Sequence, residues 1–371
     1  MLHCGEATPQ FPDMTGDARP VRYDKVSPAF DAIPAHGDVL PVAPGVLWLR
    51  MPLNLTGLSH INLWLIEDDG GYAAVDTGMN TEVIRLCWDK VLTHALGGKP
   101  ITRVICTHYH PDHMGLAGWL CERFGAPLYM TRREWLQGRV FWLDAQAQPP
   151  EFVVEYYRLL GFTEEALREV RSRGYSHFRD SVWEPPGQLA RIRDGDVLTI
   201  GGRGFRVVVG YGHAPEHACL FSAELNLMFS GDQILPRITP HIGVYAPEPE
   251  ANPLQEYLDS LDTFRPLPAD LLVLPAHNEP FRGLHARLDD LRQHHAHRLN
   301  LLEEMTAEPK RVASTLKALY GRQLRPHETY LGFAESLAHL NCLRAQGRVT
   351  RELADDGVWR FRRTGAAANA A

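Results

Sequence analysis

The chain has 371 residues, 44% hydrophobic and 22% charged, so it can bury a sizeable core, and disordered, collagen-like and disulfide-scaffold classes are excluded. A formal charge of −7 gives no chain-wide attraction to phosphate, which argues against a non-specific nucleic-acid coat. The six cysteines are far apart without a CxxC pair, the start lacks a basic and apolar leader, and no apolar run is long enough for a membrane span; a cytoplasmic protein with reduced thiols and no membrane partner is expected.

Residues 1–44 carry seven prolines and little periodicity, which reads as an N-terminal extended arm. Apolar runs at 46–51, 61–66 and 72–76, the last two separated by Asp68 to Gly71, predict strands and a hairpin. Residues 81–96 place Val83, Ile84, Cys87, Trp88, Val91 and Leu92 on one face of a helix that stops at Gly97-Gly98. A short apolar strand at 104–106 follows. Helices are predicted at 149–173, with Thr163 as an internal N-cap, and at 253–264. Strands are predicted at 197–200, 205–209, 218–221, 227–229 and 271–275. Strands interleaved with helices give an α/β layered fold. Beyond 283 the pattern becomes helices at 284–305, 310–320 and 327–346, then a hairpin around Asp355-Asp356-Gly357, the layout of a winged helix over 284–364. Residues 365–371 read as a disordered tail. The histidines at 285, 294, 295 and 297 are expected on a solvated helix face.

The segment Thr107-His108-Tyr109-His110-Pro111-Asp112-His113 puts three histidines and an aspartate within six residues, directly after a buried strand. Alternate residues of an extended chain point the same way, so His108 and His110 can converge on one point, and the following turn can carry Asp112 and His113 to a second. Imidazole and carboxylate donors together suit two adjacent divalent cations.

This HxHxDH pattern resembles the metallo-β-lactamase superfamily, and later motifs follow in the family's order: Val75-Asp76-Thr77-Gly78, Gly212-His213-Ala214-Pro215-Glu216-His217, Ser230-Gly231-Asp232 and Pro275-Ala276-His277. The resemblance spans 45–283 and implies an αββα catalytic domain with a helical cap inserted at about 131–190. It also implies that His108, His110 and His213 hold one metal, that Asp112, His113 and His277 hold a second, and that Asp232 bridges them. Asp76 and His217 are expected to support the ligands from behind. The cofactor implied is two divalent ions, Zn2+ first, with Fe or Mn also suited to an all-N/O set. A bridging hydroxide would be the nucleophile, with Asp112 as the catalytic group that orients it and relays a proton. No cysteine stands among the ligands, which disfavours a drug-hydrolysing lactamase.

The aromatic-rich insertion points to a small-molecule acyl substrate: an ester, a thioester as in the glyoxalase II branch, or a lactone. The stretch 233–241 resembles a subgroup that also ends in a winged helix and includes β-lactamase-like protein 2, an RNA-cleaving enzyme; a metal-dependent endoribonuclease is therefore the alternative. Arg237 and His241 are placed as substrate contacts. Residues 284–371 hold 14 Lys/Arg and 10 Asp/Glu, but the third helix offers Glu328, Glu335 and His339 where a DNA reader needs cations. A structural, homodimerising or pocket-completing role is expected for this region ahead of nucleic-acid binding.

Overall fold

Alternating apolar residues along 46–75 can bury both faces of a sheet only if something covers each side. The computed structural model describes residues 26–365 except Thr56. In it Val46–Leu55, Leu58–Asp68 and Gly71–Val75 form an antiparallel meander. Val39–Ala43 adds at one edge, and Ile101–Ile105, Leu128–Met130 and Ala190–Arg191 continue in parallel at the other, giving seven strands. A second seven-stranded sheet runs Ser27–Pro28, Phe281–Arg282, Leu272–Pro275, Leu227–Gly231, His217–Ser222, Arg203–Gly210 and Val197–Ile200.

The two sheets pack face to face. Val46, Trp48, Trp64 and Ile66 of the first meet Phe205, Val207, Leu220 and Phe229 of the second, while Leu49, Leu63 and Leu65 face outward under helices. Glu82–Lys90, begun by the Thr81 hydroxyl accepting from the Ile84 N–H, and Ala117–Phe124 cover the first sheet. Pro253–Ser260, Leu284–Met305 and Pro326–Ala345 cover the second. This is the αββα order expected. Trp64 stacks on Trp48 at 6.1 Å and meets the Phe229 ring edge-on at 5.8 Å. Trp64→Ala is expected to cost about 3–5 kcal/mol of unfolding free energy in denaturant titration.

Four helices, Arg132–Leu143, Glu151–Leu159, Glu164–Ser172 and Phe178–Ser181, occupy the inserted stretch, with Thr163 capping the third. The extended-arm expectation needs correcting. Residues 1–25 lie outside the described residues, but Ser27–Pro28 and Val39–Ala43 are edge strands of the two sheets, because Leu40 and Val42 alternate into the inter-sheet core. Among the described residues no helix is long and apolar enough to cross a membrane. The tail expectation falls on 366–371, likewise outside the described residues.

Beyond 283 the elements come in the expected order, with two corrections. The middle helix is split into Val312–Ser314 and Leu316–Tyr320. The histidine face is solvated only in part: His297 is exposed and His285 and His294 are half-buried, but His295 is fully buried against Tyr257 and His339, because Leu284–Met305 is covered by neighbouring helices on more than one side. Pro326–Ala345 is buried at every residue from Gly332 to Leu343. Val349–Leu353 and Trp359–Arg363 form the antiparallel ribbon.

Inside this region Arg298 donates to Glu335 at 2.5 Å and the Tyr320 hydroxyl donates to the same carboxylate. Burial alone would raise the Glu335 pKa, but Arg298 and His339 bring it down to about 2. A depressed carboxyl contributes stability above its unfolded pKa and loses it as pH falls through the folded value. The melting-temperature gap between wild type and Glu335→Gln is therefore expected to be full above about pH 5 and to narrow toward pH 2.

Candidate metal centre

The chemistry-bearing loops leave one end of the sandwich. Asp76 follows Gly71–Val75, the histidine cluster follows Ile101–Ile105, Asp232 follows Leu227–Gly231, and His277 follows Leu272–Pro275. Each of the strand pairs 71–75/101–105 and 227–231/272–275 is parallel, so the loops meet at the carboxyl ends, where α/β sheets open a crevice. His213 comes from the turn between Arg203–Gly210 and His217–Ser222. Two glycines allow this approach. Gly212 (φ +92°) sits where a Cβ would lie 2.4 Å from Pro253 O, and Gly231 (φ +50°) where one would lie 2.6 Å from the His217 ring.

The seven predicted side chains converge in two groups. His108, His110, His213 and Asp232 form one, and Asp112, His113 and His277 the other, with the donor atoms of each group within 4.8 Å of one another. His108 Nε2 is 2.8 Å from His110 Nδ1 and 3.2 Å from His213 Nε2. Asp232 joins the groups: one oxygen lies 3.5 Å from His213 Nε2, the other 3.3 Å from His277 Nε2 and 3.6 Å from His113 Nε2. Asp112 Oδ2 lies 3.4 Å from His277 Nε2.

Three of the five imidazoles are held from behind by carbonyls or a carboxylate. His113 Nδ1 meets Asp76 Oδ2 at 2.8 Å, His213 Nδ1 meets the His241 carbonyl at 2.7 Å, and His277 Nδ1 meets the His60 carbonyl at 2.9 Å. A carbonyl can only accept, so both Nδ1 atoms facing carbonyls are protonated and their Nε2 atoms face the centre. Asp76, at φ +61°, also accepts from the Thr107 N–H and hydroxyl. His217 Nε2 accepts the Asp232 N–H at 3.1 Å and its ring stacks on His108. Asp76 and His217 thus both lie against the cluster, one on His113 and the other on Asp232 and His108.

His113 Nε2, His277 Nε2 and Asp232 Oδ1 are buried and make no hydrogen bond. Buried polar atoms are ordinarily satisfied, so three such atoms aimed at one space fit a cation. Burial together with neighbouring imidazoles drives His108 well below its ordinary value, and burial with His213 brings His110 down to about 3; both rings are neutral and ready to ligate. At His277 burial opposes protonation, yet Asp232 and Asp112 hold it up at about 10. The same carboxylates and Asp76 hold His113 well above 6.5 despite its burial. Cation binding at the second group would thus displace protons.

Arg237 is half exposed and ion-paired to Glu279 at 3.0 Å, beside His277. His241 bonds through its ring to the Tyr245 hydroxyl at 2.8 Å, leaving Tyr245 45% exposed. The aromatics of the insertion are largely engaged in packing. Phe141 and Phe178 flank Tyr109, the Trp135 N–H donates to Pro186 O, and Tyr157 and Phe162 pack on Tyr330 of the C-terminal helix.

Three residues escape the sequence reading. His60 accepts the Asn278 N–H in addition to its carbonyl bond, and Asn62 donates to the carbonyls of Pro275 and Asn278, so one strand of the first sheet pins the His277 loop of the second. Both residues look like ordinary polar positions on a strand. Glu134, fully buried, accepts backbone N–H groups from Tyr109 and Glu216. A lone acid in a helix's first turn reads as a dipole partner, so nothing local marks it.

The sequence profile of the Metallo-beta-lactamase superfamily matches residues 56–277, and that of the Metallo-beta-lactamase-like C-terminal domain matches residues 299–364. A crystal structure of a beta-lactamase domain protein from Burkholderia ambifaria superposes with a TM-score of 0.86 at 40% identity, covering 92% of this chain and 99% of that one. The Bacillus subtilis protein named probable metallo-hydrolase YqjP is 24% identical over 314 residues, 82% of this chain and 94% of its own. The Emericella nidulans atrochrysone carboxyl ACP thioesterase is 27% identical over 204 residues, 52% of this chain and 58% of its own. The chain therefore belongs to the metallo-β-lactamase superfamily, a family of hydrolases.

Proposed function

We propose that the protein is a binuclear metal-dependent hydrolase of a small acyl thioester, with esters and lactones as related substrates, and that zinc is its ion. The observation that carries this reading is the trio of orphaned buried atoms on His113, His277 and Asp232 facing the His108, His110 and His213 group. Those six residues and Asp112 would hold two cations, which when bound supply a Lewis acid for the acyl oxygen and a water of lowered pKa. Asp112, held near pKa 2 by His113 and His277 against its burial, is an ionised acceptor available to take a proton from the attacking water. Asp76, His60 and the His241 carbonyl fix the rings, so little reorganisation accompanies reaction. Arg237, beside His277, and His241, whose carbonyl holds His213, would together with the exposed Tyr245 contact the polar groups of an acyl substrate.

The thioester preference draws on the similarity to a fungal thioesterase. An endoribonuclease is less well supported. The third C-terminal helix has no exposed face between Gly332 and Leu343, and Arg348, Arg351 and Arg360 of the ribbon are paired with Glu303, Glu250 and Asp356. The zinc-loaded protein should turn over a panel of acyl-glutathione and acyl-pantetheine thioesters faster than lactones, and leave single-stranded RNA intact. RNA cleavage without thioester turnover would overturn the reading.

A further inference from the structure

The two loops that carry His108, His110 and His213 belong to different sheets, yet their imidazoles stand 3.2 Å apart at the closest pair. The second ligand group has visible fixings, Asp76 behind His113 and the His60 carbonyl behind His277. For the first group one buried carboxylate spans both loops. Glu134 Oε2 accepts the N–H of Tyr109, which lies between His108 and His110, at 3.0 Å. Its Oε1 accepts the N–H of Glu216, three residues beyond His213, at 2.6 Å. The clasp is reciprocal. The Glu216 carboxylate accepts the Arg133 N–H at the start of the same helix, and the Thr131 hydroxyl donates to the Glu216 carbonyl at 2.8 Å.

We propose that Glu134 is a positioning residue that sets the spacing of His108 and His110 against His213, and so couples the inserted helix Arg132–Leu143 to the first metal position. A buried carboxylate is costly unless its hydrogen bonds are made, and here both oxygens are taken by ligand-loop amides. Glutamine at this position would turn an N–H toward one of those N–H donors. Aspartate keeps both acceptors but is one methylene too short to reach both loops. The backbone bond from Ala218 N to Thr107 O, 2.8 Å, ties the same two segments independently of Glu134.

The inference rests on the metal reading above, and zinc titration of the full chain against a chromogenic chelator separates the two. Wild type should bind two zinc ions. In Glu134→Gln one of the two should bind about 10–100-fold more weakly while the other is unchanged, the cost usual for losing an outer partner of a ligand. Glu134→Asp should show the same selective loss, smaller in size. Unchanged affinity of both ions in both variants would overturn the assignment. So would equal weakening of both ions that tracks a fall in the metal-free melting temperature, since that marks general packing. If wild type itself binds no zinc, the metal reading fails and takes this inference with it.

Discussion

Asp232→Asn should lower hydrolytic kcat/KM by more than the roughly 100-fold ceiling of outer-partner substitutions. The carboxylate reaches three imidazoles at once, 3.3 Å from His277, 3.5 Å from His213 and 3.6 Å from His113, so it serves both groups where any other ligand serves one. Asparagine keeps the shape and the backbone N–H bond to His217, and removes only the charge and one acceptor. Bound metal per chain, measured by elemental analysis, should fall below that of wild type. The metal-free variant carries a second signature. Asp232 is the main group holding His277 up at about 10 against the pull of burial, so in Asp232→Asn the His277 ring should titrate lower, visible by NMR.

Asp76→Asn should reduce metal affinity or activity by about 10–100-fold. The carboxylate accepts from the Thr107 N–H, the Thr107 hydroxyl and His113 Nδ1 together, and an amide must turn its NH2 toward one of those donors. Asparagine tolerates the left-handed backbone that Asp76 adopts at φ +61°, so the substitution isolates the hydrogen bonds from backbone strain. Asp76→Ala adds that strain and should lose thermal stability as well, which differential scanning calorimetry of the metal-free forms would separate.

Much of the site was legible because its chemistry is local. Three histidines and an aspartate within 108–113 can be read from spacing, and Gly212 and Gly231 flank His213 and Asp232 because the backbone there leaves no room for a Cβ. His60, Asn62 and Glu134 were not legible, because each acts on a partner 25 or more residues away through backbone amides or carbonyls that carry no sequence signal. The same asymmetry governs the fold. The meander at 46–75 announces itself by period-2 alternation, whereas Ser27–Pro28 is a two-residue edge defined only by its pairing with Phe281–Arg282. His295 was expected on a wet face, and the helices instead enclose it with Glu335 and His339, because Arg298 and Tyr320 satisfy the Glu335 carboxylate and His339 meets His295 and the Glu335 carbonyl in the interior.

The most direct test of the account is a crystal structure of the full chain grown with zinc. Two ions are expected, one within bonding distance of His108, His110 and His213 and one within bonding distance of Asp112, His113 and His277, with Asp232 touching both. An ion-free centre at saturating zinc, or ions held by residues outside these seven, would contradict it.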